Sequence, residues 1–318
     1  MEPQDNWSEI SASGFGLSSL LAKIMLEGRV RAPEINGPCL LITSDYSGSH
    51  AESSYEIYSV LLADLKFCSA WHTSRLAVRA RHLRDSRRIS YKGLNDRRQR
   101  AALMPFLRAA DLIPGMCISL AVSKSVDSLF QRDTSPVNPE VLDCLAWHRS
   151  LFERALRIVH LVSFLIAGLS RPNQDVLWFS DEDEIAANPA RLSLLAKVWE
   201  NVMNNYTVHP LRHLKCGTTK CDNGSNDIED FAAVPDLVAG GLSDLLTAIA
   251  GSYRVGIISP VGSASKTKAR VVGHWLSQQG SSLEKVVLAI DRDVDSRGLV
   301  ITRLRFDDLS SAVSVVAT

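Results

Sequence analysis

Four carboxylates hold positions from which they could do chemistry. Asp45 closes the short apolar run CLLITSD and is followed by a turn-forming Ser-Gly, so it reads as an acid at the C-terminal end of a buried strand. Asp181 and Asp183 belong to the acidic run 181–184, directly after the strand-like segment DVLWFS. Asp236 stands where a late helix is expected to begin, with Pro235 in its first turn, where proline is tolerated. Carboxylates at strand ends gather along one edge of an α/β sheet, where sites are usually built. Hard cations such as Mg2+ or Mn2+ take oxygen ligands, commonly one or two carboxylates completed by phosphate oxygens. Two such ions roughly 3.5–4 Å apart can activate a water and stabilise the leaving oxygen in phosphodiester cleavage. Each acid alone has a plainer reading. An Asp after a strand commonly serves a turn, and an acidic run commonly complements a helix N-terminus.

Beside the acids lies a concentration of positive charge. Ten basic residues fall between Arg75 and Arg100, among them Arg87, Arg88, Lys92, Arg97 and Arg98, and only Asp85 and Asp96 oppose them. Such a stretch could track a phosphate backbone, with Trp71, His72 and Tyr91 stacking on bases or packing in the core. It could equally be an arginine-rich helix face paired with acids such as those at 181–184.

These side chains need elements to position them. A helix is expected over GLSSLLAKIMLEG, ending at Gly28. CLLITSDYSG and YEIYSVLLADL read as an antiparallel hairpin pair of strands. Residues 71–83 have helical composition, RRISYKGL reads as a short strand, and Asn95 is placed to cap a helix running to about Asp111. GMCISLAVSK is another buried strand. A long helix spans about 139–168, and a further one about 189–204. HPLRHLKCGTTKCDNGSND is loop or short strand. The tail carries a strand in RVGIIS, a helix from about Ser265 to Gln279, and a hairpin of KVVLAIDRD and LVITRLRFDD. It either completes the main sheet or forms a small appendage. Gly240 and Gly241 inside the late helix cost about 1 kcal/mol each relative to Ala, which points to close packing of that helix over the strand ends.

The order of these pieces resembles a ribonuclease H-like fold: a hairpin carrying Asp, a further strand, a helix, a strand ending in Asp, and a final helix carrying Asp. More specifically, the chain resembles the bacterial domain-of-unknown-function 3800 family over about residues 39–250. Asp45-Tyr46-Ser47-Gly48 matches that family's Asp-x-Ser-Gly first strand. ISYKGLNDRRQRAALMPFL is similar to its Lys-Gly/Ser stretch before a helix. CISLAVSK, VLWFSDED and PDLVAGGL are similar to its strand ending in Lys, its strand ending in Asp-Glu, and its late helix. The resemblance implies a metal-dependent nuclease in which Asp45, Asp181 and Asp236 hold Mg2+ or Mn2+, with Asp183 as an alternative or additional ligand. The chain departs from the pattern in three places. Pro235 replaces Ala, Tyr46 replaces an acid, and the helix after the hairpin (71–83), which carries a Glu in ribonuclease H, has no carboxylate, Glu52 and Glu56 being nearby substitutes.

Composition bounds the rest. Length and hydrophobic content (318 residues, 46% hydrophobic) are those of a globular chain able to bury its own core. The formal net charge is zero, so any argument for nucleic acid rests on local patches. Cys39, Cys68, Cys117, Cys144, Cys216 and Cys221 form no secreted-type framework, which favours a reducing compartment. MEPQDNWSEIS has no basic-then-apolar pattern of a signal peptide. The apolar helix 158–169 is too short for a bilayer, which needs about 20 residues. A cytoplasmic protein with no membrane partner is therefore expected. The expected organisation is an N-terminal extension (1–36), a ribonuclease H-like domain (37–251) and a C-terminal extension packed on it (252–318). Two competing functions stay open. One is a non-catalytic nucleic-acid- or protein-binding module on the same fold. The other is a zinc-stabilised protein using His209, His213, Cys216 and Cys221, whose spacing is that of no standard finger. GSASKTK lacks the pattern of a phosphate loop.

Overall fold

Apolar runs too short for helices become strands buried on both faces, and the longer apolar segments become the helices that bury them. The computed structural model describes residues 7, 16–27, 30–84, 86–130, 147–249, 257–258, 266–278, 282–293 and 298–306. The strands are β1 (Cys39–Ser47), β2 (Tyr55–Asp64), β3 (Gly115–Ser123), β4 (Asp175–Ser180), β5 (His213–Thr218), the two-residue β6 (Ile257–Ile258), β7 (Leu283–Arg292) and β8 (Leu299–Phe306). They lie in the order β5-β4-β1-β2-β3-β7-β8-β6. β1, β2 and β3 run antiparallel, while β4 is parallel to β1 and β5 to β4.

Three antiparallel strands continued by two parallel ones on the β1 side make a ribonuclease H-like α/β fold, as the order of elements predicts. β7 pairs parallel with β3 and β8 pairs antiparallel with β7, so the C-terminal hairpin extends the main sheet and is not an appendage. The helices are α1 (Gly16–Glu27), α2 (Ser69–His82), α3 (Arg97–Ala110), α4 (Arg149–Leu169), α5 (Pro189–Met203), α6 (Asp227–Ala248) and α7 (Thr267–Ser277).

The sheet separates two cores. Leu40, Ile42 and Val60 face one way, into a layer completed by α1, α4 and α5. Leu41, Ile57 and Leu61 face the other way, into a layer completed by α2, α3, α6 and α7. Period-two alternation along the strands makes this division. Among the described residues, α6 has the length and apolar content to cross a membrane, and 78% of that stretch is buried inside the fold. A helix apolar all round is expected at such a place.

Four local expectations are corrected. The stretch 86–91 forms no strand, because its donors go to side chains: the Ser90 amide to Gln99 Oε1 and the Tyr91 amide to Asp236 Oδ2. Asp96, not Asn95, caps α3, accepting from the Arg98 and Gln99 amides. α4 begins at Arg149, and 139–146 lie outside the described residues. α6 begins at Asp227, two turns earlier than expected, so Pro235 is interior and Asp236 mid-helix. A mid-helix proline leaves the carbonyl four residues back without its donor. Here that carbonyl belongs to Phe231, and Thr43 Oγ1 on β1 donates to it at 3.0 Å.

Candidate active site

The sheet register brings the acids together. Ser44 on β1 pairs with Ser180 on β4, so Asp45 and Asp181, the next residues, leave neighbouring strands at the same level. Thr43 and Asp45 share a face of β1, and Thr43 is tied to α6 through Phe231. Asp45 therefore meets α6 a little over one turn further along, at Asp236.

Asp45, Asp181, Asp183 and Asp236 all line one cavity of about 740 Å3 at this end of the sheet. The carboxyls of Asp45 and Asp236 are hydrogen-bonded to each other. Burial, followed by the neighbouring Asp236 charge, pushes Asp45 well above the usual carboxylate range. Burial raises Asp236 as well, against the lowering effect of its bonds to Asp45 and to the Tyr91 amide (2.6 Å). Two carboxylates in contact cannot both ionise unless a cation joins them.

Asp181, whose charge raises both members of that pair, has partners of its own. Its Oδ1 accepts from Arg88 Nη2 and from Thr219 Oγ1, both at 2.9 Å. Asp183 Oδ1 accepts from the Ile185 and Ala186 amides at 2.8 and 3.2 Å, the local turn use of an acidic run. Glu182 pairs with Lys220 and Glu184 with Arg154.

Among the described residues, no three His, Cys, Asp or Glu side chains converge closely enough to cage a metal ion. The donors fit a hard cation held by a pair, because Mg2+ commonly takes one or two carboxylates and fills its remaining positions with water and substrate phosphate. The residues able to hold it are Asp45 and Asp236, with Asp181 across the cavity.

Three cations line the same cavity: Arg88, Lys92 and Arg154. Arg154 comes from α4. It pairs with Glu56 and Glu184 and lies over the Tyr46 ring, 5.3 Å from the centroid. Glu56 also pairs with Arg157 and accepts from the Tyr58 hydroxyl, so it is committed away from the acids.

The loop carrying Arg88 and Lys92 is docked through Tyr91. Its hydroxyl donates to Asp244 Oδ2 at 2.6 Å. Lys268 Nζ on α7 donates to the Tyr91 carbonyl at 2.9 Å and sits 4.2 Å from the ring centroid. A Cβ on Gly240 would come within 2.3 Å of the ring, and one on Gly241 within 2.7 Å of Val272. These glycines are thus packing devices, but against the loop and α7 and not the sheet. No sequence signal marked Lys268 or Asp244, which lie 177 and 153 residues from Tyr91.

The basic stretch divides. Arg75 and Arg79 are buried and hold Asp230, with Arg75 also on Asp227. Arg88 and Lys92 face the acid cavity. Arg87 pairs with Asp96 at 3.4 Å, and Arg97 and Arg98 line a separate concavity. Trp71 is fully buried, packed on Phe106 and Phe231, and cannot stack on a base. The His/Cys stretch is dispersed too: His209 bonds Ser170, and His213 bonds Asp175.

Compared with known proteins, the chain matches no protein-family model and no curated protein.

Proposed function

We propose that this protein is a divalent-metal-dependent nuclease that hydrolyses phosphodiester bonds. The observation that carries the reading is the Asp45–Asp236 pair, two carboxyls in mutual contact where β1 meets α6, with Asp181 across the same cavity. Asp45 and Asp236, with Asp181, would hold Mg2+ or Mn2+. When bound, the ion supplies Lewis-acid polarisation of a phosphoryl oxygen and a water acidic enough to attack near neutral pH. The chain's own groups do the positioning. The Tyr91 amide fixes the Asp236 carboxyl, Arg88 restrains Asp181, and Lys92 offers its ammonium to a phosphate in the cavity. The resemblance to the domain-of-unknown-function 3800 family supports the same reading, as does the ribonuclease H-like fold. A cytoplasmic location and a nucleic-acid partner, with no membrane partner, belong to it.

The test is cleavage of labelled DNA, RNA and hybrid strands with Mg2+ or Mn2+, comparing wild type with Asp45→Asn. The substitution keeps the shape and removes the charge, so hydrolysis should fall by several powers of ten, each corresponding to about 1.36 kcal/mol of barrier. Equal cleavage by both proteins removes Asp45 from the site. One observation favours a second reading, a non-catalytic binding module: the acidic set is incomplete, and Arg154 lines the same cavity. Binding without cleavage by the wild type, on all substrates and with both metals, selects that reading.

A further inference from the structure

The outer groove between α2 and α3 gathers positive charge, and among the described residues no acid lines it. It has a volume of about 470 Å3 and is lined by Arg81, His82, Arg84, Arg97, Arg98 and Ala101. Among the described residues, Arg81, Arg84, Arg97 and Arg98 form no ion pair, and these four side chains make one hydrogen bond, from Arg84 Nε to the Ala80 carbonyl.

Four other arginines of the stretch are used differently. Arg75, Arg79, Arg87 and Arg88 each hold an aspartate. Position adds to it. Arg81 and His82 end α2, where cations suit the helix dipole, but Arg97 and Arg98 open α3, whose first turn contains no acid. Cations at a helix N-terminus oppose the dipole, and like charges side by side repel. Asp96 already caps the α3 N-terminus, so an anion in the groove would act by relieving the repulsion among the arginines.

The groove and the acid cavity are bordered by one short segment: Arg84 lines the groove and Arg88 the cavity. Arg87 reaches Asp96 at the start of α3, while its neighbour Arg88 reaches Asp181 in the cavity.

We infer that this groove binds the phosphate backbone of a nucleic-acid strand whose adjoining part enters the acid cavity. The identity of the strand rests on the proposed nuclease function. Regularly spaced phosphates along a flexible strand can serve both sites through one ligand, and the row of unpaired guanidiniums provides no base-specific readout.

The experiment measures binding of short fluorescein-labelled single-stranded DNA and RNA to the full chain in EDTA, across a salt series. Proteins compared are wild type, Arg81→Gln/Arg84→Gln, Arg97→Gln/Arg98→Gln and Asp45→Asn. Each arginine that contacts a phosphate should flatten the slope of log affinity against log salt by about 0.7. Each double variant is therefore expected to lose more than one unit of slope, while Asp45→Asn keeps the wild-type slope. These arginines are exposed, so the variants should keep the wild-type melting temperature, which is checked in parallel. Wild-type slope in both double variants overturns the groove, as does absence of wild-type binding at low salt. Displacement of the strand by polyglutamate at equal charge concentration also overturns it, in favour of an acidic protein partner. Binding in EDTA does not depend on cleavage, so the groove can stand when the nuclease reading fails, and the reverse.

Discussion

Thr43 donates its hydroxyl to the carbonyl of Phe231, the carbonyl that Pro235 leaves without a helical donor. This one bond ties the middle of β1 to the middle of α6. Two residues along the strand lies Asp45, and five residues along the helix lies Asp236. The proline that breaks the helical ladder thus creates the acceptor that registers the two acids against each other.

Removing that hydroxyl should be costly only while the proline is present. Thr43→Val leaves a buried carbonyl without a donor, a loss of about 1–3 kcal/mol. Pro235→Ala restores the helical N–H to Phe231. In urea unfolding, Thr43→Val is expected to cost less in the Pro235→Ala background than in wild type. Equal costs in the two backgrounds would show that the bond does not register the elements.

The acid pair should make the metal-free protein less stable than it could be at neutral pH. Asp45 binds its proton more tightly folded than unfolded, since burial and Asp236 raise its carboxyl. Its contribution is therefore complete below the ordinary carboxylate value of about 3.9 and is lost as pH rises through the raised value. Asp45→Asn should flatten that decline and raise the melting temperature at neutral pH in EDTA. Mn2+ should restore wild-type stability by about 2.7 kcal/mol at a hundredfold excess over its dissociation constant, and should restore less in Asp45→Asn. Thermal melts over pH, with and without Mn2+, measure both effects.

A second pH dependence runs the other way. His160 is 3% exposed, bonded to the Tyr206 hydroxyl at 2.8 Å and stacked on Phe130. Burial lowers its imidazole to about 4. It contributes stability above the unfolded value of about 6.5, and that stability is lost as pH falls toward the folded value. The loss is on the order of 3 kcal/mol, from about 1.36 kcal/mol per pH unit. His160→Gln should remove most of this slope in acid unfolding monitored by tryptophan fluorescence. An unchanged slope would assign the acid sensitivity to other groups.

Gly240 should not tolerate a side chain. A methyl group there falls against the Tyr91 ring, and overpacking of this kind costs typically about 1–3 kcal/mol. Gly240→Ala is expected to displace the loop, freeing the Tyr91 amide from Asp236 and weakening the Mn2+ effect. Combined with Tyr91→Ala, which removes the ring, its additional cost should shrink. Tyr91→Phe removes only the bond to Asp244 and should leave the Mn2+ effect close to wild type. Calorimetric melts of the four proteins separate these outcomes.

The local chemistry of the chain determined most of the elements. CLLITSD, GMCISLAVS and DVLWFS are apolar runs too short for helices and became β1, β3 and β4. The helical composition of 71–83 and a capping residue before a run to about Asp111 indicated α2 and α3, which form over Ser69–His82 and Arg97–Ala110. The order of acids along the elements resembles that of a ribonuclease H-like fold, and the resemblance implied a site built from Asp45, Asp181 and Asp236. What the sequence could not determine is how each charge is used, because that depends on partners distant along the chain. Ten basic residues in one stretch look alike until α6 brings Asp230 under Arg75 and Arg79, and β4 brings Asp181 to Arg88. RRISYKGL has the composition of a strand, yet Gln99 and Asp236 take its donors before a sheet can. Pro235 looked like a helix start because the rule for proline is local. Only the tertiary structure set Thr43 against Phe231, and with it the acid pair, since a buried carbonyl is satisfied by whatever donor the packing brings within reach.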